Sequence, residues 1–261
     1  TGSPGYTTGA TILVSRRDLD PLEYAAMAKV STKKPLVMWE LFSGSGNVSR
    51  MFESYGFKAY CIDIDPKCAR RSKGVCGDVR TFDFRKWPSP DFIWASPPCI
   101  GFSHAQAKTV RESPEMKKMN ALSEWTVNFM EKISPRGFII ENPRYTNLHK
   151  QSYMQSLSQT HVAYCAYGRP MQKPTTLFHK ADLKLELETC SHKGPHRVTL
   201  AKNYGGAPGC RRWAKSRHRS EIPPEIAREI VRQLITQWGT AQPDSIPPSP
   251  GMTNYARISG V

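Results

Sequence analysis

Two stretches of this 261-residue chain join a strand-like apolar run to a reactive side chain. The first is Asp91-Phe92-Ile93-Trp94-Ala95-Ser96-Pro97-Pro98-Cys99-Ile100-Gly101-Phe102-Ser103. Its apolar residues read as a short buried strand, and the two prolines, with fixed φ and no donor, end it. Cys99 then projects from the carboxyl end of that strand, and Gly101 gives the loop a place to bend. The second is Gly137-Phe138-Ile139-Ile140-Glu141-Asn142-Pro143, another buried strand that ends in an acid. A carboxyl group there is costly unless it is paired or used. Cys99 alone reads equally well as a buried core thiol, because free cysteine is among the most buried residue types. Beside Glu141 it suggests covalent chemistry. A thiolate and a carboxylic acid facing one cleft activate an electron-poor ring: the thiolate adds to carbon, and the acid protonates or hydrogen-bonds a ring nitrogen.

A third stretch looks built to hold a ligand. Leu36 to Phe42 is a continuous apolar run typical of a strand buried on both faces. Ser43-Gly44-Ser45-Gly46 follows, then a helix from Asn47 to Tyr55 with Val48, Met51, Phe52 and Tyr55 at helical spacing. Gly56 stands where a C-terminal cap is needed. Phe57 to Ile64 is a second strand, ending in Asp63-Ile64-Asp65. Glycines let backbone approach a nucleotide-like ligand, and a carboxylate at the end of the second strand binds ribose hydroxyls. The spacing is Phe42-x-Gly44-x-Gly46, and no Lys-Ser/Thr follows, which suggests an adenosine site without a pyrophosphate. Val75 to Val79 reads as a third short strand whose Asp78 either reaches an adenine amino group or caps a turn.

The elements that must position these residues follow from periodicity. Met116 to Ile133 is an amphipathic helix whose stripe of Met119, Leu122, Thr126, Phe129, Met130 and Ile133 reads as core. His161 to Gly168 and Thr175 to His179 read as strands. Pro223 to Trp238 is a final helix with proline in its first turn and Ile226, Ile230, Leu234 and Trp238 in one row. Strands alternating with helices argue for a doubly wound α/β sheet. The expected organisation is a flexible arm over 1–34, a catalytic domain over 35–178 and 221–239, a small basic segment over 179–220, and a disordered tail over 240–261.

The chain carries 37 Lys and Arg against 22 Asp and Glu, a formal charge of +15. That excess suits a polyanion, nucleic acid first and an anionic membrane surface second. No apolar run is long enough to span a bilayer, and the N-terminus lacks a basic-then-apolar signal pattern. The chain begins with Thr1, so it reads as a fragment from which a targeting segment can have been lost. Seven cysteines with no Cys-x-x-Cys fit reduced, intracellular thiols, nuclear in a eukaryote and cytoplasmic in a prokaryote. Ser191 to Ser220 holds eight Lys or Arg and no acid, with Tyr204 and Trp213 interleaved. Arg197, Lys202, Arg211, Arg212 and Lys215 are the residues expected along phosphates, joined by Ser103 and His104 after the cysteine. Cys190, His192, His196, Cys210 and His218 could supply zinc ligands, but neither cysteine has the usual close partner, and no metal is assigned.

The order Phe42-x-Gly44-x-Gly46, Asp63, Asp78, Ser96-Pro97-Pro98-Cys99 and Glu141-Asn142-Pro143 resembles the cytosine-5 DNA methyltransferase family. Tyr167-Gly168 and a last helix led by Pro223-Pro224 continue the resemblance, which covers roughly residues 36 to 238. Each motif is modestly specific; their joint order is highly specific. The resemblance implies a Rossmann-like S-adenosylmethionine-dependent sheet acting on a cytosine flipped out of double-stranded DNA. It implies that Cys99 attacks carbon 6, that Glu141 hydrogen-bonds nitrogen 3 and the exocyclic amine, and that carbon 5 is methylated. Phe42, Ser43, Gly44 and Gly46 would lie under the cofactor, Asp63 on its ribose and Asp78 near its adenine, with Ile64, Val79 and Pro98 completing the set. Three departures stand out. Met171-Gln172-Lys173-Pro174-Thr175 replaces the family's Gln-x-Arg-x-Arg, so Lys173 substitutes a point charge for the first guanidinium fork, which contacts the cytosine carbonyl, and Thr175 stands at the second. Arg219-Ser220 replaces a Gly-Asn pair that touches the cofactor. The segment 179–220 is short for a target-recognition domain. Two alternatives follow: the same chemistry on tRNA or another RNA, and a catalytically weakened homologue that binds nucleic acid.

Overall fold

The computed structural model describes residues 34–102, 113–191 and 220–239. Those residues form a seven-stranded mixed sheet in the order β3-β2-β1-β4-β5-β7-β6. The strands are β1 (Val37–Leu41), β2 (Lys58–Asp63), β3 (Val75–Cys76), β4 (Phe92–Ala95), β5 (Gly137–Pro143), β6 (Ser158–Ala163) and β7 (Pro174–His179). The described helices are α1 (Asn47–Ser54), α2 (Pro66–Ser72), α3 (Pro114–Ile133) and α4 (Pro224–Trp238). The expected doubly wound α/β sheet is present.

The central strands are buried at every position, β1 and β4 alike, which is why both read as unbroken apolar runs. Alternation along the strands sorts their side chains onto two faces. Val37, Trp39, Leu41, Ile93, Phe138 and Ile140 pack with Val127 and Met130 of α3. On the other face Phe92 stacks on Phe52 of α1 at 5.0 Å, and Trp238 of α4 lies 6.3 Å from it. Between β3 and β4 no α-helix is described. A 3-10 turn at Phe84–Lys86 covers the sheet instead, with Phe84 stacked on Trp39 at 5.0 Å and Trp87 against Tyr60 at 5.5 Å. Rings of this size each bury enough apolar surface to contribute about 1.5–3 kcal/mol.

β1 pairs in parallel with β2 on one side and β4 on the other, Leu41 lying opposite both Ile62 and Ala95. The chain leaves β1 toward β2 and β3, and β4 begins the half that runs the other way. The sheet order therefore reverses between β1 and β4, and open α/β sheets bind ligands in the crevice outside the carboxyl ends at such a point.

Four local features differ from the sequence reading. α2 was not expected, although Asp65 and Pro66 announce it: the Asp65 side chain accepts the Lys67 N–H at 2.7 Å, and proline fills the first turn. β3 stops at Cys76, because the backbone turns at Gly77 and Asp78 bonds forward to Arg80. β6 ends at Ala163, and Tyr164–Tyr167 coil into a 3-10 turn closed by Gly168 at φ +76°. β7 runs antiparallel to both β5 and β6, so strand and helix do not alternate to the end.

Beyond β7 the chain runs back as an extended strap. Thr160 Oγ1 donates to the Leu185 carbonyl at 3.4 Å, Ala163 N–H to that of Glu188 at 3.2 Å, and Glu188 N–H to the Tyr167 hydroxyl at 2.9 Å. From the other side, Gln237 Oε1 accepts the Lys184 N–H at 3.0 Å and Gln233 Oε1 that of Glu186 at 2.9 Å. Four residues along a helix advance about 6 Å and two along an extended chain slightly more, so the two amides of α4 match alternate strap residues.

Candidate active site

The turn after β1 is held by its neighbours. Phe42 has φ +57°, Gly44 +52° and Gly46 +69°, a run of left-handed backbone that glycine adopts freely and phenylalanine does not. Gly44 N–H donates to Asp63 Oδ2 at 2.8 Å, and Asp63 Oδ1 accepts the Asp65 N–H at 2.9 Å. The carboxylate expected on a ribose thus also braces the glycine turn. The Ser43 hydroxyl donates to that of Ser72 at 2.8 Å, locking the turn to α2. A Cβ on Gly46 would lie 2.7 Å from Ser72 Cα, whereas one on Gly44 would meet only the Phe42 carbonyl, at 3.9 Å. Gly46 is there for packing, and Gly44 for open space.

Ile64, next to Asp63, is 68% exposed, a bare apolar side chain at the mouth of the crevice. Val79 is buried and Pro98 half-buried. Asp78 is occupied: Arg80 grips its carboxylate through Nε and Nη2, the shortest contact being 2.6 Å, and holds it below the usual carboxylate range. Of the two readings of Asp78, this geometry is that of the turn cap.

Glu40 was missed, hidden inside the apolar run of β1. Its buried carboxyl accepts the Ser49 N–H of α1 at 2.8 Å, and the Cys61 thiol points to the same oxygen at 3.9 Å. Burial pushes its pKa up to about 7, against the opposing pull of Ser49 and Arg50.

Cys99 sits on the turn beyond β4. Ser96 N–H donates to the Leu41 carbonyl at 3.3 Å, and Phe102 N–H to that of Cys99 at 3.0 Å, closing the Ile100–Phe102 turn. Gly101 backs onto Asn120 of α3, leaving no room for a side chain. Burial raises the Cys99 pKa and Glu141 adds to it, while Lys173 pulls the other way.

Glu141, at the tip of β5, is 7% exposed. Its Oε1 accepts from the Tyr164 hydroxyl at 3.1 Å and from Lys173 Nζ at 3.3 Å. Lys173 Nζ also donates to the Tyr164 oxygen at 3.0 Å and lies 4.2 Å from the centre of that ring. Burial pulls the Lys173 pKa down, but Glu141 and Tyr164 outweigh it, and the net direction is upward. Burial raises that of Tyr164, with Glu141 reinforcing it. The backbone of Lys173 has φ +26° directly before Pro174. Thr175 is wholly buried, its hydroxyl turned back to the Lys173 carbonyl at 3.3 Å, so the place of the second arginine carries no charge. Tyr164 is the other residue the sequence reading missed, because it was taken as one position within a strand.

The structure therefore gathers Phe42, Ser43, Gly44, Gly46, Asp63, Ile64, Asp78, Val79 and Pro98 at the ends of β1 to β4, and Cys99, Glu141 and Lys173 around β4, β5 and the start of β7. Ser103, His104, Arg197, Lys202, Arg211, Arg212 and Lys215 lie outside the described residues, as do His192, His196, Cys210, His218, Arg219, the arm and the tail. Cys190 is described, and its thiol lies beside that of Cys165, an approach no spacing announces.

The model of the C-5 cytosine-specific DNA methylases matches residues 36–160, the span holding the glycine turn, Asp63, Cys99 and Glu141. Residues 36–160 belong to the C-5 cytosine-specific DNA methylase family. The methylase region extends into a wider likeness. Over 219 residues, 74% of this chain and 97% of the relative, the chain is 27% identical to "Probable DNA (cytosine-5)-methyltransferase" of Frog virus 3 (isolate Goorha). Among solved structures it is similar to the Entamoeba histolytica methyltransferase EhMeth, with 14% identity, a TM-score of 0.45, and coverage of 62% of this chain and 58% of that one. It is also similar to the S. pombe Dnmt2 methyltransferase, with 15% identity, a TM-score of 0.40, and coverage of 58% and 50%. The chain spans 58% and 50% of the length of these two structures. No helix among the described residues is long and apolar enough to cross a membrane.

Proposed function

We propose that this chain is an S-adenosylmethionine-dependent DNA (cytosine-5-)-methyltransferase acting on a cytosine flipped out of the duplex. One observation carries the reading: the Cys99 thiol beyond β4 lies within electrostatic reach of Glu141 on β5, both inside the matched family span, and Lys173, just before β7, pairs with that Glu141. The crevice at β1 and β2 fits the cofactor. Gly44 leaves the turn open, Ile64 offers an apolar surface for adenine, and Asp63 offers a carboxylate for ribose hydroxyls. When bound, S-adenosylmethionine supplies an electrophilic methyl group.

The chain's own residues do the rest. Flipping exposes carbon 6, which the stack hides, at a cost of a few kcal/mol. The Cys99 thiol passes its proton to the Glu141 carboxylate as its sulfur bonds carbon 6, and Glu141 hands that proton on to nitrogen 3, so that electron density collects at carbon 5. Lys173 offsets the negative charge of Glu141 between turnovers. Once carbon 5 carries the methyl, its proton leaves to solvent, the sulfur–carbon bond breaks, and the nitrogen 3 proton returns through Glu141 to the sulfur of Cys99. The excess of +15 charges suits the DNA backbone.

The test is trapping on a duplex containing 5-fluorocytosine with S-adenosylmethionine present, since fluorine cannot leave as a proton does. A denaturation-resistant adduct that disappears in Cys99→Ser is the expected result. An adduct on fluorinated tRNA but not on DNA would reassign the substrate. No adduct on either, with cofactor binding intact, would overturn the enzymatic reading.

A further inference from the structure

We propose that Tyr164 is a positioning residue for Glu141: its hydroxyl and the Lys173 ammonium grip one carboxylate oxygen together. The inference rests on the function proposed above. A lysine ammonium is a point charge with three rotatable donors and does not by itself fix the plane of a carboxylate. Here a second donor is supplied from a different element. Tyr164 is 1% exposed, so its hydroxyl has lost water and needs protein partners. It finds both in the cluster, accepting from Lys173 at 3.0 Å and donating to Glu141 at 3.1 Å.

Both bonds to Glu141 fall on Oε1, which leaves Oε2 for the base. The ring holds the lysine as well, with the ammonium 4.2 Å from its centre, a cation–π contact strengthened by desolvation. The backbone supplies an independent sign. A residue before proline is driven toward extended conformations, yet Lys173 has φ +26°. Strain of this kind persists only where the surroundings over-determine it, and it gathers at functional sites. The closed ring of Lys173, Tyr164 and Glu141 is what holds it.

Tyr164→Phe in the full chain keeps the ring and removes the donor. We expect kcat on a cytosine duplex to fall about 10- to 100-fold, with KM for duplex and for S-adenosylmethionine within about twofold of the parent. A second readout does not depend on turnover: the carboxylate stretch of Glu141, isolated by infrared difference against Glu141→Gln, should shift in Tyr164→Phe. Should that variant fail to fold, 3-fluorotyrosine at position 164 keeps the hydroxyl and strengthens it as a donor, and the band should move the opposite way. An unmoved band overturns the proposal, whether kcat is unchanged or falls only in step with thermal stability. A parent that methylates neither DNA nor RNA would sink the proposed function, while the Glu141 band would still decide whether Tyr164 grips that carboxylate.

Discussion

Glu40 Oε2 accepts the backbone N–H of Ser49 at 2.8 Å, so a carboxyl group in the middle of a buried strand anchors the first turn of α1 beside the glycine loop. Its pKa of about 7 lies above the value of 4.5 expected in the unfolded chain. The sign follows from linkage: the contribution is fully present below pH 4.5 and is lost as pH rises through 7. The size is about 3 kcal/mol, at about 1.4 kcal/mol per pH unit between 4.5 and 7. Glu40→Gln keeps an acceptor for Ser49 and removes the titration. The parent should therefore lose stability relative to Glu40→Gln between pH 5 and pH 8 in denaturant melts. Parallel curves for the two proteins would refute the assignment.

Cys99 is raised above the ordinary thiol range by burial and by Glu141, so at neutral pH the ligand-free protein holds it as a thiol. Alkylation of Cys99 by iodoacetamide, followed by peptide mass spectrometry, should accelerate about tenfold per pH unit from 6 to 9 without a plateau. A plateau below pH 8 would mean that the thiolate is already stabilised in the empty site.

The two glycines of the first turn should respond differently to alanine. Gly46→Ala places a methyl 2.7 Å from the α2 backbone at φ +69°, and should cost about 2–4 kcal/mol of stability. Gly44→Ala pays only for its φ of +52°, about 1–2 kcal/mol, but fills space on the ligand side. It should remain folded at 25 °C and bind S-adenosylmethionine at least tenfold more weakly by calorimetry. Equal affinity in Gly44→Ala would mean that the cofactor lies elsewhere.

Lys173 and Glu141 form a buried pair, 12% and 8% exposed at their side chains. Removing one partner strands the other, so Lys173→Met should destabilise by about 3–5 kcal/mol. Adding Glu141→Gln should recover part of that loss, a coupling of about 1–3 kcal/mol in a double-mutant cycle of urea melts. Strict additivity would mean that the two charges are independently solvated.

The parts legible in the sequence were those set by local rules. The apolar runs of β1, β4 and β5 and the amphipathic α3 announce themselves by burial pattern, and Cys99 and Glu141 stand out because prolines follow or precede them. Residues whose meaning comes from across the fold were not legible. Glu40 looks like one polar residue in an apolar strand until α1 folds over it, and Tyr164 looks like a strand residue until Gly168 closes the chain into a turn. The antiparallel insertion of β7 is a matter of pairing, which periodicity does not encode. α2 is the exception: its Asp-Pro start was readable and was passed over.

The strap along β6 and α4 fixes the chain up to Glu188, and Asn47, whose side-chain amide donates to the Ile222 carbonyl at 2.9 Å, fixes it again just before α4. Both anchors belong to the same sheet-and-helix body, so the chain between them is closed whatever its length. Each doubling of a closed loop costs only about 0.6 kcal/mol. The two ends of that loop, Glu188 and Ile222, are each held by bonds within the described body, one to the strap's neighbours and one to α1.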